Sequence, residues 1–261
     1  MSGWTSGGVA RPNQGDVLAA LVRADLRQRY GRGRFRLVKW LLDPFALVGV
    51  YLVLVSVVLH EGGTAPGLSL ACAVVPFQLL MMALMNGLGS VPSRASIIVN
   101  MQFPRTLIPI ASVLTEAVAF GASFSLIAVM MAVYGVAPTA ALLWFPVVVL
   151  VNLALAVGLA YPASLLGLSF REGNQFAMSL VRALFFLAPG LVALDQITGA
   201  AHDLLRINPL TGLFEAYRHV TLSGQAPEAW ELLFPLAWAA FFAAVFVPIY
   251  RSEQRQFAKV V

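Results

Sequence analysis

Charge is scarce in this sequence: Asp, Glu, Lys and Arg together make up 11% of its 261 residues, against about a quarter in an average soluble domain. So little polar surface does not coat a soluble globule. Cysteine is almost missing as well. The single Cys72, set inside an apolar run, excludes an intrachain disulfide framework and a thiolate metal cluster. The three histidines, His60, His202 and His219, stand at no HxxxH or Glu-x-x-His spacing, which argues against a metal site. A Ser, His and Asp constellation that would support a hydrolase is also missing. So is a Gly-rich phosphate loop of the GxxxxGK(S/T) kind, and any coupling to ATP therefore has to come from another chain.

What the sequence has is hydrophobic residues, 59% of the total. They gather into runs of about 20 or more, long enough to cross a ~30 Å hydrocarbon core as helices. The continuity of the runs favours helices over barrel strands, which would alternate over about ten residues. Candidate spans lie at 37–59, 68–90, 106–134, 140–168, 176–197 and 229–249, which predicts an all-α integral membrane protein of six transmembrane helices. The third and fourth are longer than a perpendicular crossing needs, so they should tilt, kink at Pro109 or Pro146, or project beyond the bilayer. Residues 1–14, rich in Gly, Ser and Thr, read as a disordered leader, and residues 15–261 as one transmembrane domain.

Lys and Arg near the span ends set the expected orientation, because positive flanks stay in the cytoplasm. Six arginines cluster just ahead of the first span: Arg23, Arg27, Arg29, Arg32, Arg34 and Arg36. The second loop carries Arg94 and Arg105, the fourth Arg171, and the tail Arg251, Arg255 and Lys259, whereas the first and third loops carry none. Both termini are therefore expected inside, and 198–228 outside.

Three segments are not simple spans. In 15–31, Val17, Leu18, Leu21, Val22 and Leu26 share one helical side while Arg23, Asp25 and Arg27 lie on others. This amphipathic helix should lie in the cytoplasmic interface, its basic side towards anionic headgroups. It serves either as a topogenic charge cluster or as a gate helix touching a cytoplasmic partner and lipid. The second loop, 90–105, combines Pro92, a possible cap at Ser93 and the apolar Ile97, Ile98 and Val99, which fits either a short helix along the membrane or an ordinary connection. In 198–228, Asn208 and Pro209 form a cap and first-turn proline, and Leu210, Leu213, Phe214, Tyr217 and Val220 recur at helical spacing. An apolar-faced helix there should dip into the outer leaflet or pack on the bundle. Glu215 and Arg218 could pair across one turn, an exposed contact contributing a few tenths of a kcal/mol.

Glu116 in the third span and Arg182 in the fifth are ionisable residues in apolar runs, each costing about 2.5–3.5 kcal/mol at mid-bilayer if unpaired. Both fall in the inner half of the membrane, so a mutual salt bridge is one reading and a proton relay through Glu116 the other. Aromatic side chains at Phe77, Phe120, Phe124, Tyr134, Phe185 and Phe186 could line a channel or pack against neighbouring helices.

Three stretches carry a family resemblance: ADLRQRYGRGRFRLVKWLLDP from Ala24 to Pro44, NMQFPRTLIPIASVL from Asn100 to Leu114, and INPLTGLFEAYRHVTLSG from Ile207 to Gly224. In this order they resemble the basic interfacial helix, the Phe-Pro-Arg entry to the third span, and the Asn-Pro and Tyr-Arg outer elements of type-2 ABC exporter permeases, of the kind that export O-antigen, teichoic acid and related glycans. The resemblance implies a permease subunit without enzymatic activity of its own, in the bacterial inner membrane, working as a homodimer with two copies of a nucleotide-binding subunit that binds ATP and Mg. It implies a coupling helix and outer re-entrant helices, with Arg94, Asn100, Phe103, Pro104 and Arg105 coupling to the ATPase. It also implies a lipid-linked polysaccharide as cargo, its headgroup near Arg23 to Arg36. A small hydrophobic drug or peptide is the alternative cargo, and a non-transporting membrane scaffold the alternative class.

Overall fold

The computed structural model describes residues 13–30, 45, 46, 48–50, 53, 65–101, 103–169, 173–190, 193, 194 and 197–254. The amphipathic stretch near the N-terminus forms helix α1, Gln14–Tyr30. Next come α2, Pro66–Leu88, with proline in its first turn, and the short helix α3, Ala95–Asn100, entered through a 3-10 turn at Pro92–Arg94. The chain continues through α4, Leu107–Val133, α5, Phe145–Ser169, and α6, Gly173–Phe186. Two short helices, α7 (Ala200–Arg206) and α8 (Pro209–Arg218), precede a π-helical turn and the last helix, α9, Ala229–Glu253. Among the described residues all regular structure is helical.

Four helices are long and apolar enough to cross a membrane: α2, α4, α5 with the 3-10 turn that leads into it, and α9. They match the expected second, third, fourth and sixth spans to within a few residues. The first expected span, 37–59, lies largely outside the described residues. The fifth is corrected in extent only: among the described residues its helix is α6, Gly173–Phe186, whose 14 residues reach about 21 Å at 1.5 Å each. Turn residues Leu187–Pro189 follow where the expected span runs on to 197. The expected kinks are corrected too. Pro109 and Pro146 fall in the first turns of α4 and α5, where the backbone N–H has no intrahelical partner to lose. The prolines inside helices are Pro76, Pro162, Pro235 and Pro248.

Helix α2 runs through the middle of the bundle, packed on α4, α5 and α8, and α5 packs in turn on α9. Small residues permit this closeness, as expected where lipid removes the hydrophobic drive for helix association. At Gly158 an added Cβ would stand 2.8 Å from the carbonyl oxygen of Ala239 in α9, and at Gly167 it would overlap the Leu88 carbonyl that ends α2. On the outward sides, Leu143, Val147 and Leu150 of the α5 segment and Leu233, Phe241 and Ile249 of α9 are exposed. That arrangement is costly in water and neutral in hydrocarbon.

Contacts between helix ends fix an alternating up-and-down order. At one end Ser90 and Ser164 hydroxyls meet at 2.8 Å, Tyr161 donates to the Thr106 carbonyl at 3.1 Å, and the Tyr161 and Tyr250 rings meet edge-on. At the other, the Gly67 N–H donates to Tyr134 and the Thr139 hydroxyl to the Gly224 carbonyl. The second loop and the C-terminal end of α9 thus share one end of the bundle with α1, and α8 lies at the other.

Candidate functional site

At the α1 end the second loop is built into the bundle. Residues Val91, Ile98, Ile108, Tyr161 and Tyr250 form a small buried apolar cluster, with Phe103 packed against it. Helix α3 therefore has its Ile98 side anchored, while Val99 and Met101 are exposed and so is Asn100. Ser93 does not cap this helix: its hydroxyl donates to the Ser90 carbonyl, and Arg94 takes the position before the first turn.

Arg94, expected to face an ATPase, is 4% exposed and faces inward. Its guanidinium donates to the Ser90 carbonyl at 2.9 Å, to the Ser112 hydroxyl at 3.1 Å and to the Asp25 carboxylate. The Thr115 hydroxyl also donates to Asp25, at 3.3 Å. Two charged partners that are mostly removed from water attract strongly and are costly to separate, so this contact fastens α1 to the second loop, and Ser112 and Thr115 of α4 join it. Leu21 of α1 is buried by the same docking. Arg23 and Arg27 remain exposed; the Arg29 side chain and residues Arg32, Arg34 and Arg36 lie outside the described residues.

Below the Arg94–Asp25 contact is a polar cavity of about 260 Å³, bordered by Gln28, Asn86, Thr115 and Glu116 among others. Glu116 accepts a hydrogen bond from the Asn86 amide. The expected bridge between Glu116 and Arg182 is not formed: Glu116 is buried against Asn86 in this cavity, whereas Arg182 is an exposed residue of α6. An amide donor and a polar cavity give a buried carboxylate hydrogen-bonding capacity at its own site. Arg105 donates to the Gln254 carbonyl at the end of α9, and Phe103, Pro104, Arg105 and Gln254 line an open depression of about 490 Å³.

At the opposite end α8 is enclosed on all sides, not only along its apolar stripe. Thr211, Glu215 and Arg218 are buried alongside Leu213, Phe214 and Tyr217. Asn208 caps the helix, its side-chain oxygen accepting from the Leu210 N–H at 3.0 Å, and Pro209 occupies the first turn. The Glu215–Arg218 pair is thereby a buried contact, not the exposed one expected. Arg218, 2% exposed, donates to Glu215 at 2.7 Å, to the Ser69 hydroxyl at 3.0 Å and to the Gly190 carbonyl at 3.3 Å, and Glu215 accepts from the Leu194 N–H at 2.9 Å.

His219 follows in the π turn, its Nδ1 2.8 Å from the Glu231 carboxylate. Glu231 also closes a capping box with Glu228 at the start of α9. The hydrogen bond and charge of Glu231 raise the His219 pKa above its usual 6.5 against the opposing effect of burial. A raised folded-state pKa contributes stability that is complete below the unfolded value and is lost as pH climbs through the folded one. Melting temperature should therefore decline as pH rises past about 6.5, and His219→Gln should flatten that decline; equal slopes for both proteins would remove the pair from the stability of this end.

The candidate channel aromatics are brought together, but with one another. Phe77 and Phe185 ring centroids are 4.5 Å apart, Phe120 and Phe124 4.6 Å, and Phe124 and Phe145 4.9 Å. Phe120 and Phe185 are buried within the chain, where their rings fill its interior. The Phe186 side chain lies outside the described residues. Sequence reading missed Asp25, Asn86, Ser112 and Thr115. Asp25 had one signal, an acid set between Arg23 and Arg27 of an amphipathic helix; the other three are single polar residues in apolar runs.

The chain is 26% identical over 248 residues to the O-antigen export system permease protein RfbA of Myxococcus xanthus, covering 94% of this chain and 95% of that protein. It is 26% and 25% identical over 210 residues to two proteins of the same name from Klebsiella pneumoniae, covering 80% of this chain and 81% of each. The chain is thus similar along most of its length to permeases named for O-antigen export. No family model matches it. The similarity spans both polar ends of the bundle, and with four membrane-length helices it makes the chain a multi-pass membrane protein.

Proposed function

We infer that this chain is the permease subunit of an ABC exporter for polysaccharide, and that ATP is hydrolysed in a separate nucleotide-binding partner with Mg. The observation that carries this reading is similarity along 94% of the chain to a permease named for O-antigen export. The cargo is a lipid-linked glycan of the cell envelope, of the O-antigen or teichoic acid kind. The subunit works as a homodimer with two ATPase copies, in the inner membrane, with both termini in the cytoplasm and six spans. The 37–59 run supplies the first span and 173–197 the fifth, while α7 and α8 are the outer re-entrant helices.

The ATPase docks on α3 and the Phe103–Arg105 segment. Support comes from the exposed Val99, Asn100 and Met101 beside the anchored Ile98, a lever whose tip faces outward and whose base is buried. Arg94 transmits the stroke to α1 without touching the partner, and Arg23 and Arg27, with the arginines up to Arg36, meet the phosphate of the cargo headgroup. Guanidinium forks suit phosphate oxygens.

Vesicles containing this chain and its ATPase should translocate labelled lipid-linked glycan on addition of ATP. A correctly assembled complex that moves hydrophobic drugs or peptides and no glycan would overturn the cargo assignment. Asn100→Ala should reduce the stimulation of ATPase activity by the permease about tenfold, 1.4 kcal/mol of coupling. Unaltered stimulation would remove α3 from the docking surface.

A further inference from the structure

An apolar cavity of about 580 Å³ lies between α2, α5, α6, α7, α8 and α9. Phe77 and Leu84 of α2, Leu159 of α5, Leu205 of α7, and Trp238 and Phe242 of α9 enclose much of it. A sealed apolar void of about 150 Å³ takes one benzene-sized ring, so this space takes a much longer hydrocarbon. Nor is it sealed: Leu204 and Ile207, which also line it, are exposed on the α7 side.

Between those two residues stands Arg206, itself exposed, its guanidinium 4.5 Å from the centroid of the Trp230 ring. A tryptophan with a cation over its face is a pairing suited to the level of lipid headgroups. Trp230 is in the first turn of α9, whereas Trp238 and Phe242 lie 8 and 12 residues further along, about 12 and 18 Å deeper at 1.5 Å per residue. One leaflet of a ~30 Å hydrocarbon core is about 15 Å thick. The cavity therefore extends from a fixed cation to about the bilayer midplane, which is the reach of one acyl chain.

We propose that this cavity holds one acyl chain of an anionic bilayer phospholipid, whose phosphate is met by Arg206. The apolar walls exclude a polar occupant, the depth matches a single leaflet, and the cation at the mouth selects a negative headgroup. Asp203, the acid nearest along α7, is engaged by His202 at 3.2 Å. The inference depends on the chain crossing a membrane and not on its cargo.

The test uses the full chain with its ATPase partner in lipid discs containing phosphatidylglycerol that carries a photoactivatable diazirine at the end of one acyl chain. Peptides containing Leu204–Leu210 and Trp238–Phe242 should be labelled about tenfold more than the outward surface at 143–150. Leu159→Trp should remove that excess by filling the cavity; should that variant fail to assemble, Leu84→Trp fills it from α2. Arg206→Gln should abolish the preference for phosphatidylglycerol over phosphatidylcholine while leaving the labelled positions unchanged. Labelling no greater than at 143–150, or excess labelling that survives the filling variants, would overturn the proposal. So would displacement of the probe by lipid-linked glycan, which would assign the space to the cargo. Glycan transport without cavity labelling would leave the exporter reading intact and sink this one.

Discussion

Arg94→Gln is expected to abolish export and to destabilise the subunit by about 3–5 kcal/mol, the cost of leaving the partner of a mostly buried ion pair without its countercharge. The guanidinium makes contacts that glutamine does not reproduce together, to the Ser90 carbonyl, the Ser112 hydroxyl and the Asp25 carboxylate. Asp25 keeps 19% of its side-chain surface, so water recovers part of the loss and the lower end of the range is the better expectation. The specific consequence is release of α1, because Asp25 is its charged link to the bundle. A cysteine introduced at Leu21, which is buried where α1 docks, should react slowly with a thiol reagent in the parent and rapidly once Arg94 is replaced. Asp25→Asn should act in the same direction with a smaller effect, since an amide oxygen still accepts from the guanidinium. If Arg94→Gln melts with the parent and leaves that cysteine protected, the link between the second loop and α1 does not exist in the membrane.

Much of the architecture could be read from hydrophobic run length alone, because membrane helices have to satisfy their backbones internally and so reveal themselves as continuous apolar stretches. The ends of α2, α4, α5 and α9 follow that rule closely. Segment 173–197 does not, because its apolar character continues after the helix stops at Phe186: the turn that follows supplies Gly190 and Leu194 to Arg218 and Glu215. Hydropathy cannot distinguish an apolar helix from an apolar turn enclosed by other helices.

The polar residues were harder to place for a related reason. Counting arginines separates one side of the membrane from the other, and in the structure the ends bearing Arg94, Arg105 and Arg251 do lie together. The count does not reveal whether a given arginine faces outward to a partner or inward to a carboxylate. Arg94 is buried and Arg105 reaches the end of α9, although both stand in the same short loop and have the same charge. Their difference arises from Asp25, 69 positions away along the chain from Arg94, and no local pattern records that separation. Glu116 illustrates the converse: matching it with the other conspicuous intramembrane charge left out uncharged donors such as Asn86, whose amide donates to the carboxylate.

Arg218→Met should cost about 3–5 kcal/mol, because among the described residues it leaves the enclosed Glu215 carboxylate with the Leu194 N–H alone. Glu215→Gln should be costly for the mirror reason, leaving an enclosed guanidinium, although Ser69 and Gly190 still accept from it. Replacing both, as Glu215→Leu with Arg218→Met, removes the two desolvation penalties along with their attraction. The double variant should therefore be more stable than either single one, recovering about 1–4 kcal/mol, as measured by thermal melting in detergent. Export gives the second readout. If the pair serves packing alone, the double variant should transport at close to the parent rate. If α8 has to shift against α2 during each cycle, breaking the Arg218–Ser69 contact, the double variant should regain stability without regaining transport. Single replacements within about 0.5 kcal/mol of the parent, the range of ordinary surface substitutions, would mean that water reaches Arg218 and that α8 does not sit enclosed within the bundle.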